Sequence, residues 1–296
     1  MRKKYIFLIV GIILVVIATG ITGIITVMNH PFRIEKNTYL YIDADDNTDS
    51  ICHKLTTQLQ ASSLKGFKLL TTVGGLDPIH PGAYRFSQSD NCLAVYRRLK
   101  SGAQTPVNLT LPSVRTVGKL LKTVSHQLMT DSSNLARLLM DSTYCAQIGY
   151  STETLPCLFI PNTYEVYWTM TPEAFVKRMQ KEHDRFWNEE RKAKAQSIGL
   201  TPEEVATLAS IVEEETANNA EKPMVAGLYI NRLHADMPLQ ADPTVKFALQ
   251  DFGLRRILHT HLETDSPYNT YKHTGLPPGP IRIPSIQGIE SVLNYT

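Results

Sequence analysis

The chain has 296 residues, enough for one large domain or two small ones around a sizeable core. Its 43% apolar and 20% charged content is that of a globular protein and excludes disorder. A formal net charge of +2 gives no basis for nucleic acid or another anionic polymer as partner.

Met1-Arg2-Lys3-Lys4 precedes "YIFLIVGIILVVIATGITGIITVM", 24 residues without a charge. Such a run is long enough to cross a ~30 Å hydrocarbon core. It exceeds the apolar region of a secretory signal and ends in no A-x-A site, so a retained anchor is expected over residues 1–29. The basic cluster predicts a cytoplasmic N-terminus with the remainder outside. After the juxtamembrane "HPFRIEKN", "TYLYIDA" alternates as a strand, and "NTDSICHKLTTQLQ" predicts a helix capped by Asn47 or Thr48. "PGAYRFSQSDNCLAVYRRLKSG" predicts a turn, a short strand and a helix from about Asn91 that Gly102 closes. Residues 34–105 thus read as a small α+β module. Cys52, Cys92, Cys145 and Cys157 are irregularly spaced, which excludes a zinc ribbon or a C-x-x-C redox site and leaves pairing open.

From residue 106 onward, "VNLTLP" is strand-like and three helical patterns follow: "TVGKLLKTVSHQL", "SNLARLLMDSTYC" and one long polar helix over "TPEAFVKRMQKEHDRFWNEERKAKAQSIG". "LTPEEVATLASIVEEETAN" has a strong helix start: Thr201 as cap, Pro202 at the first position and Glu204 completing a capping box. In that register Val205, Leu208, Ile211 and Val212 form an apolar stripe, with Glu215 near its middle, Glu213 nearly opposite and Glu214 on a flank. Two readings of Glu215 stand open. It is either the solvated end of a fraying helix or a carboxyl held against an apolar face, where desolvation would keep it protonated as a general acid.

A second helix through Val225, Leu228, Tyr229, Ile230 and Leu233 follows a short connection and should pack on the first, with Asn231 and Arg232 near its end. "LQADPTV" sets Gln240 and Asp242 in a turn before Pro243, either as turn formers or as a polar cleft wall. "SPYNTYKHTGLPPGPIRIPS" is a loop carrying Tyr268, Asn269 and Tyr271, whose rings and amide suit N-acetylated sugars as readily as loop packing. His259 and His261 have no third ligand nearby, so no metal site is expected.

Taken in order, "LASIVEEET", Val225 to Leu233, "MPLQADPTV", "YNTY" and "GLPPGPI" resemble the endolytic murein (lytic) transglycosylases of the YceG-like, or MltG, family. "FIPNTYEVYW" is similar to the family's F-P-D-T-Y element with Asn162 in place of Asp, and "PGAYRF" and "RRLKSG" resemble its LysM-like module. The resemblance implies an α+β protein: a transmembrane helix, a LysM-like module and, over residues 106–296, a mixed, helix-rich α+β catalytic domain. "LPSVRT" stands where the family often has Pro-Glu-Gly, and the chain ends inside "SIQGIESVLNYT", so this domain is expected to be C-terminally incomplete. The family's catalytic glutamate corresponds to Glu215. Gln240, Asp242, Asn269, Tyr268 and Tyr271 become candidate glycan-binding residues, with Glu213 and Asn231 in support.

The resemblance implies cleavage of the bond between N-acetylmuramic acid and N-acetylglucosamine, leaving 1,6-anhydro ends. It implies no metal or organic cofactor. The expected partners are peptidoglycan strands and cell-wall synthesis proteins at the bacterial cytoplasmic membrane. Two rival readings are a hydrolase of the same polymer using Asp242 as second carboxylate, and a non-catalytic, membrane-anchored glycan-binding scaffold.

Overall fold

A computed structural model describes residues 2–32, 34, 36–59, 61 and 64–296, with side chains from residue 5 onward. The Arg2–Lys4 side chains, on which the expected orientation rests, lie outside the described residues, as do Arg33 and Glu35 of the juxtamembrane stretch and Gln60. The chain forms two compact units: Met1–Val107 with Val166–Thr169, and Asn108–Glu165 with Met170–Thr296.

The first unit begins with α1 (Arg2–Met28). Its Tyr5–Met28 portion is long and apolar enough to cross a membrane. Strand β1 (Thr38–Ile42), helices α2 (Thr48–Thr57) and α3 (Lys65–Gly74), strand β2 (Gly82–Phe86) and helix α4 (Cys92–Ser101) follow. β1 and β2 pair antiparallel, from Thr38 opposite Phe86 to Ile42 opposite Gly82. Alternation along β1 turns Leu40 and Ile42 into a core with Ile51, Leu55, Phe67, Tyr84, Phe86 and Val95. Asn47 and Asn91 cap α2 and α4, and Gly102 ends α4 in the left-handed conformation at φ 65°. Helix α3 has no counterpart in the sequence reading, because "KGFKLLTTVG" starts at Leu64 without a side-chain cap.

In the second unit, β3 (Val107–Thr110) pairs with β4 (Thr163–Val166). Between them lie α5 (Val117–Ser125), α6 (Ser132–Leu139) and α7 (Ser142–Gln147). After β4 come α8 (Pro172–Phe186), α9 (Glu189–Ser197), α10 (Pro202–Glu215), α11 (Lys222–His234), α12 (Asp242–Leu249), α13 (His259–Leu262) and α14 (Ile286–Leu293).

Two expected helices are each broken in two. The Asp141 side chain accepts from the Thr143 amide at 2.8 Å and starts α7, and the Asn188 side chain accepts from the Arg191 amide at 3.0 Å and starts α9. Polar residues that fit a helix surface by composition cap new helices instead, because their side chains compete for backbone amides. The second break also buries Trp187, so this charged stretch is not one solvated face.

Helix α10 is the centre of the unit and packs against α9, α11, α12 and α14. Its capping box is present as read: the Glu204 amide donates to Thr201 Oγ1 at 3.2 Å and the Thr201 amide to Glu204 Oε2 at 2.8 Å. The expected one-sided stripe is replaced by eight consecutive buried residues, Val205 to Val212. Helices on several sides cover even Thr207 and Ser210, whose hydroxyls are satisfied by carbonyls one turn back. Each fully buried Val, Leu or Ile here contributes about 1.5–3 kcal/mol. A rigid rod therefore delivers the acidic triplet at its C-terminal end.

Candidate active site

The three glutamates after Val212 have three different fates. Glu213 is the most deeply buried, its side chain 6% exposed beside Lys222 at 8%. Its carboxylate accepts from the Ser285 amide at 2.9 Å and from the Ser285 hydroxyl, with Lys222 Nζ at 3.3 Å and Arg282 Nε at 3.6 Å. α14 approaches so closely that a Cβ at Gly288 would lie 2.8 Å from Glu213 Cδ. Glu214 takes a two-point bond from Arg115, Nε at 2.9 Å and Nη2 at 2.7 Å, and a third from Arg282 Nη1 at 2.9 Å. Glu213 and Glu214 are thus not surface residues. Both are gripped by cations brought in by α11, by the segment before α5 and by the segment before α14.

Glu215 closes α10 and is the exposed member of the triplet. Protein atoms still crowd its carboxyl from behind. That desolvation pushes its pKa up, and the Asp242 charge pushes it further in the same direction. The Tyr229 hydroxyl and the Lys246 ammonium favour the ionised form and oppose the rise. A carboxyl raised this way, yet reachable from solvent, can donate a proton and take one back.

The motifs around Glu215 are bonded to one another. Gln240 sits at φ 54° and its amide donates to Thr270 O at 3.0 Å. The Ala241 amide donates to Thr270 Oγ1 at 3.0 Å, and the Thr244 and Thr270 hydroxyls meet at 2.8 Å. Tyr271 donates to Asp242 Oδ1 at 2.6 Å, and burial followed by this bond raises the Tyr271 pKa to about 12. "LQADPTV" and "YNTY" therefore form one wall. Asp242 is the first residue of α12 rather than part of a free turn, because Pro243 suits the start of a helix.

Asn269 is fully buried and faces its own loop. Its amide donates to Leu262 O and Thr264 O, both at 2.8 Å, and its oxygen accepts from the Tyr271 amide at 3.1 Å. It shapes the loop that aims Tyr271, with no group left to offer a sugar. Tyr268 packs on Phe247, ring centroids 4.7 Å apart, and lines another cavity with Glu153 and Pro280. Asn231 is exposed on α11, about 200° round the helix from Tyr229. The structure brings Glu215, Gln240, Asp242 and Tyr271 together; it does not bring Tyr268 or Asn231 to them.

Sequence reasoning missed Tyr229, Lys246, Arg115, Lys222 and Arg282. Tyr229 reads as one more apolar position of its helix, Lys222 carries no local signal of its pairing with Glu213, and Arg115 and Arg282 come from segments far along the chain. "LPSVRT", which departs from the family pattern, supplies Ser113 and Arg115: Arg282 Nη2 donates to Ser113 Oγ at 2.8 Å. The "GLPPGPI" loop docks on α10, where the Ile281 amide donates to Ser210 Oγ at 3.0 Å. It passes so near Glu153 that a Cβ at Gly279 would lie 2.1 Å from that carbonyl, which requires glycine.

A larger cavity of about 470 Å³ lies at the other end of α10, between Glu203, Thr207, His234 and Pro277. Its nearest lining residue on α10, Thr207, is about eight residues of helix, ~12 Å, from Glu215. Among the described residues no group of three or more His, Cys, Asp or Glu could hold a metal ion, and all four cysteines are buried and free.

A crystal structure of a yceG-like protein from Listeria monocytogenes superposes with a TM-score of 0.59 at 25% identity, covering 88% of this chain and 91% of that one. An endolytic murein transglycosylase of Streptococcus pneumoniae serotype 2 is 28% identical over 314 residues, covering 94% of this chain and 57% of that protein. One from Bacillus subtilis strain 168 is 27% identical over 248 residues, covering 78% of this chain and 68% of that protein. The chain thus spans little more than half the length of the pneumococcal relative. The model of the YceG-like family matches residues 40–296, from β1 through the whole second unit and every motif around Glu215, and the chain belongs to that family.

Proposed function

We propose that this chain is a membrane-anchored endolytic lytic transglycosylase acting on peptidoglycan, with Glu215 as its single acid and base. The observation that carries the reading is a solvent-reachable carboxyl with a raised pKa, mounted beside Asp242 on the end of a helix whose middle, Val205 to Val212, is buried. Relatives named endolytic murein transglycosylase, aligned over most of this chain, support the substrate.

In this mechanism the Glu215 carboxyl protonates the oxygen joining muramic acid to glucosamine as that bond breaks. The carboxylate left behind then takes the proton of the muramyl C6 hydroxyl, whose oxygen attacks C1 of the same sugar and closes the 1,6-anhydro ring. The nucleophile belongs to the substrate, so no second carboxylate and no bound water are needed, and the intramolecular attack carries little entropic cost. Gln240 and Tyr271 face the sugars, while desolvation and then the Asp242 charge raise the Glu215 pKa and favour its protonated form. α1 would anchor the chain in the cytoplasmic membrane with the N-terminus inside. The LysM-like reading of the first unit rests on "PGAYRF" in β2 and "RRLKSG" at the end of α4.

Asp242 also favours a second reading, a hydrolase in which it activates water. Mass spectrometry of products from purified peptidoglycan separates the two. Anhydro ends support the transglycosylase, whereas reducing ends, heavier by one water, would support the hydrolase. An intact polymer in the presence of folded protein would leave only the scaffold.

A further inference from the structure

Beside Glu215, between the end of α10 and α12, lies a small cavity of about 90 Å³ lined by Arg115, Glu214, Lys246, Phe247 and Phe252. Its volume corresponds to about three waters, room for a carboxylate but not for a sugar ring. The charges around it are unbalanced. Glu214 is its one anion and is already held by two guanidiniums, Arg115 and Arg282. Arg115 lies 5.4 Å over the Phe252 ring, and its Nη1 has no hydrogen-bond partner among the described residues. Lys246 is half-buried, and among the described residues its ammonium has neither an ion-pair nor a hydrogen-bond partner. Asp242, one turn earlier on the same helix, is engaged by Tyr271 instead. An ammonium and a guanidinium nitrogen on one cavity wall, neither engaged by a protein acceptor, are both placed to donate to an anion.

We propose that Lys246 and Nη1 of Arg115 bind a carboxylate carried by the muramyl residue at the scissile bond, making these two residues determinants of substrate specificity. The inference rests on the transglycosylase reading. The muramyl unit bears a lactyl group ending in a carboxyl, free on stripped strands and continued on others by a peptide stem with carboxylates of its own. Both sources offer the same kind of anion, one on the lactyl arm itself and the other further along the stem. Glu214, which lines the cavity, directly precedes Glu215, and the Lys246 charge acts on Glu215, so one ligand can present its anion to the cavity and its scissile bond to Glu215.

The test uses the full chain in detergent with three strand preparations: stem-bearing with free carboxylates, stem-bearing with those carboxylates amidated, and stripped of stems. Anhydro-end formation is followed for the unaltered chain, Lys246→Met and Lys246→Arg, with the fluorescence of the buried Trp187 confirming folding. The expected result is that Lys246→Met raises KM about tenfold more on a carboxylate-bearing strand than on the amidated one, over any change common to all strands from the lost Lys246 charge near Glu215, and that Lys246→Arg restores the difference. An effect on stripped strands assigns the lactyl carboxylate; one confined to stem-bearing strands assigns the stem. An equal rise in KM on all three strand preparations overturns the inference, because Lys246 then serves only Glu215. If the unaltered chain forms no anhydro ends from any strand, the activity itself falls and this inference with it.

Discussion

Replacing Glu213 by alanine removes the carboxylate that Lys222 and Ser285 share and leaves the Lys222 ammonium, 8% exposed, without its partner. Breaking a buried pair from one side costs about 3–5 kcal/mol, because an uncompensated charge stays behind. In a unit of this size each 1 kcal/mol moves Tm by about 2–4 °C, so a fall of about 6–20 °C is expected. Trp187, buried in the same core as α10, reports this unit by fluorescence in a Trp168→Phe background, which silences the only other tryptophan. The reasoning has a second arm. Glu213→Ala with Lys222→Met removes both charges and should recover most of the loss, since apolar replacement of a buried pair is often close to neutral. A single substitution costing under about 1 kcal/mol, or a double variant no more stable than the single, would refute the claim that Glu213 anchors the end of α10 through this pair.

Asp242→Asn removes a charge that raises the Glu215 pKa, so the alkaline limb of the pH–rate profile should move to lower pH. Tyr229→Phe removes an influence that lowers that pKa, and the same limb should move to higher pH; identical profiles for both variants would contradict the arrangement. Ser210→Ala leaves the buried Ile281 amide without its acceptor and should cost about 1–3 kcal/mol in urea unfolding. Thr201→Ala breaks the capping box of α10 and should cost about 1 kcal/mol by the same measurement.

What the sequence revealed was local. Caps at Asn47, Asn91 and Thr201 and the stop at Gly102 depend on a side chain and backbone groups a few residues away, and all four stand in the structure. Asp141 and Asn188 obey the same chemistry, but both fall inside runs whose composition suits continuous helix, so the breaks were hidden. The fate of Glu213 and Glu214 was illegible for another reason. Periodicity describes a helix against a single face, whereas α10 is covered on several, and its acidic end is neutralised by Arg115 and Arg282, about 100 and 70 residues away in the chain. The motif order placed Gln240, Asp242 and Tyr271 near one another, yet could not tell that Asn269 would turn inward to hold the loop, because an amide serves a backbone and a sugar equally well.

The central claim is that one carboxyl, Glu215, both gives and takes the proton. It is tested most directly by incubating the full chain and its Glu215→Gln variant with purified peptidoglycan and counting 1,6-anhydromuramyl ends by mass spectrometry, with Trp187 fluorescence confirming that both are folded. Anhydro ends from the unaltered chain, and a loss of at least about a hundredfold in the variant, are predicted. Equal formation of anhydro ends by both would contradict the account.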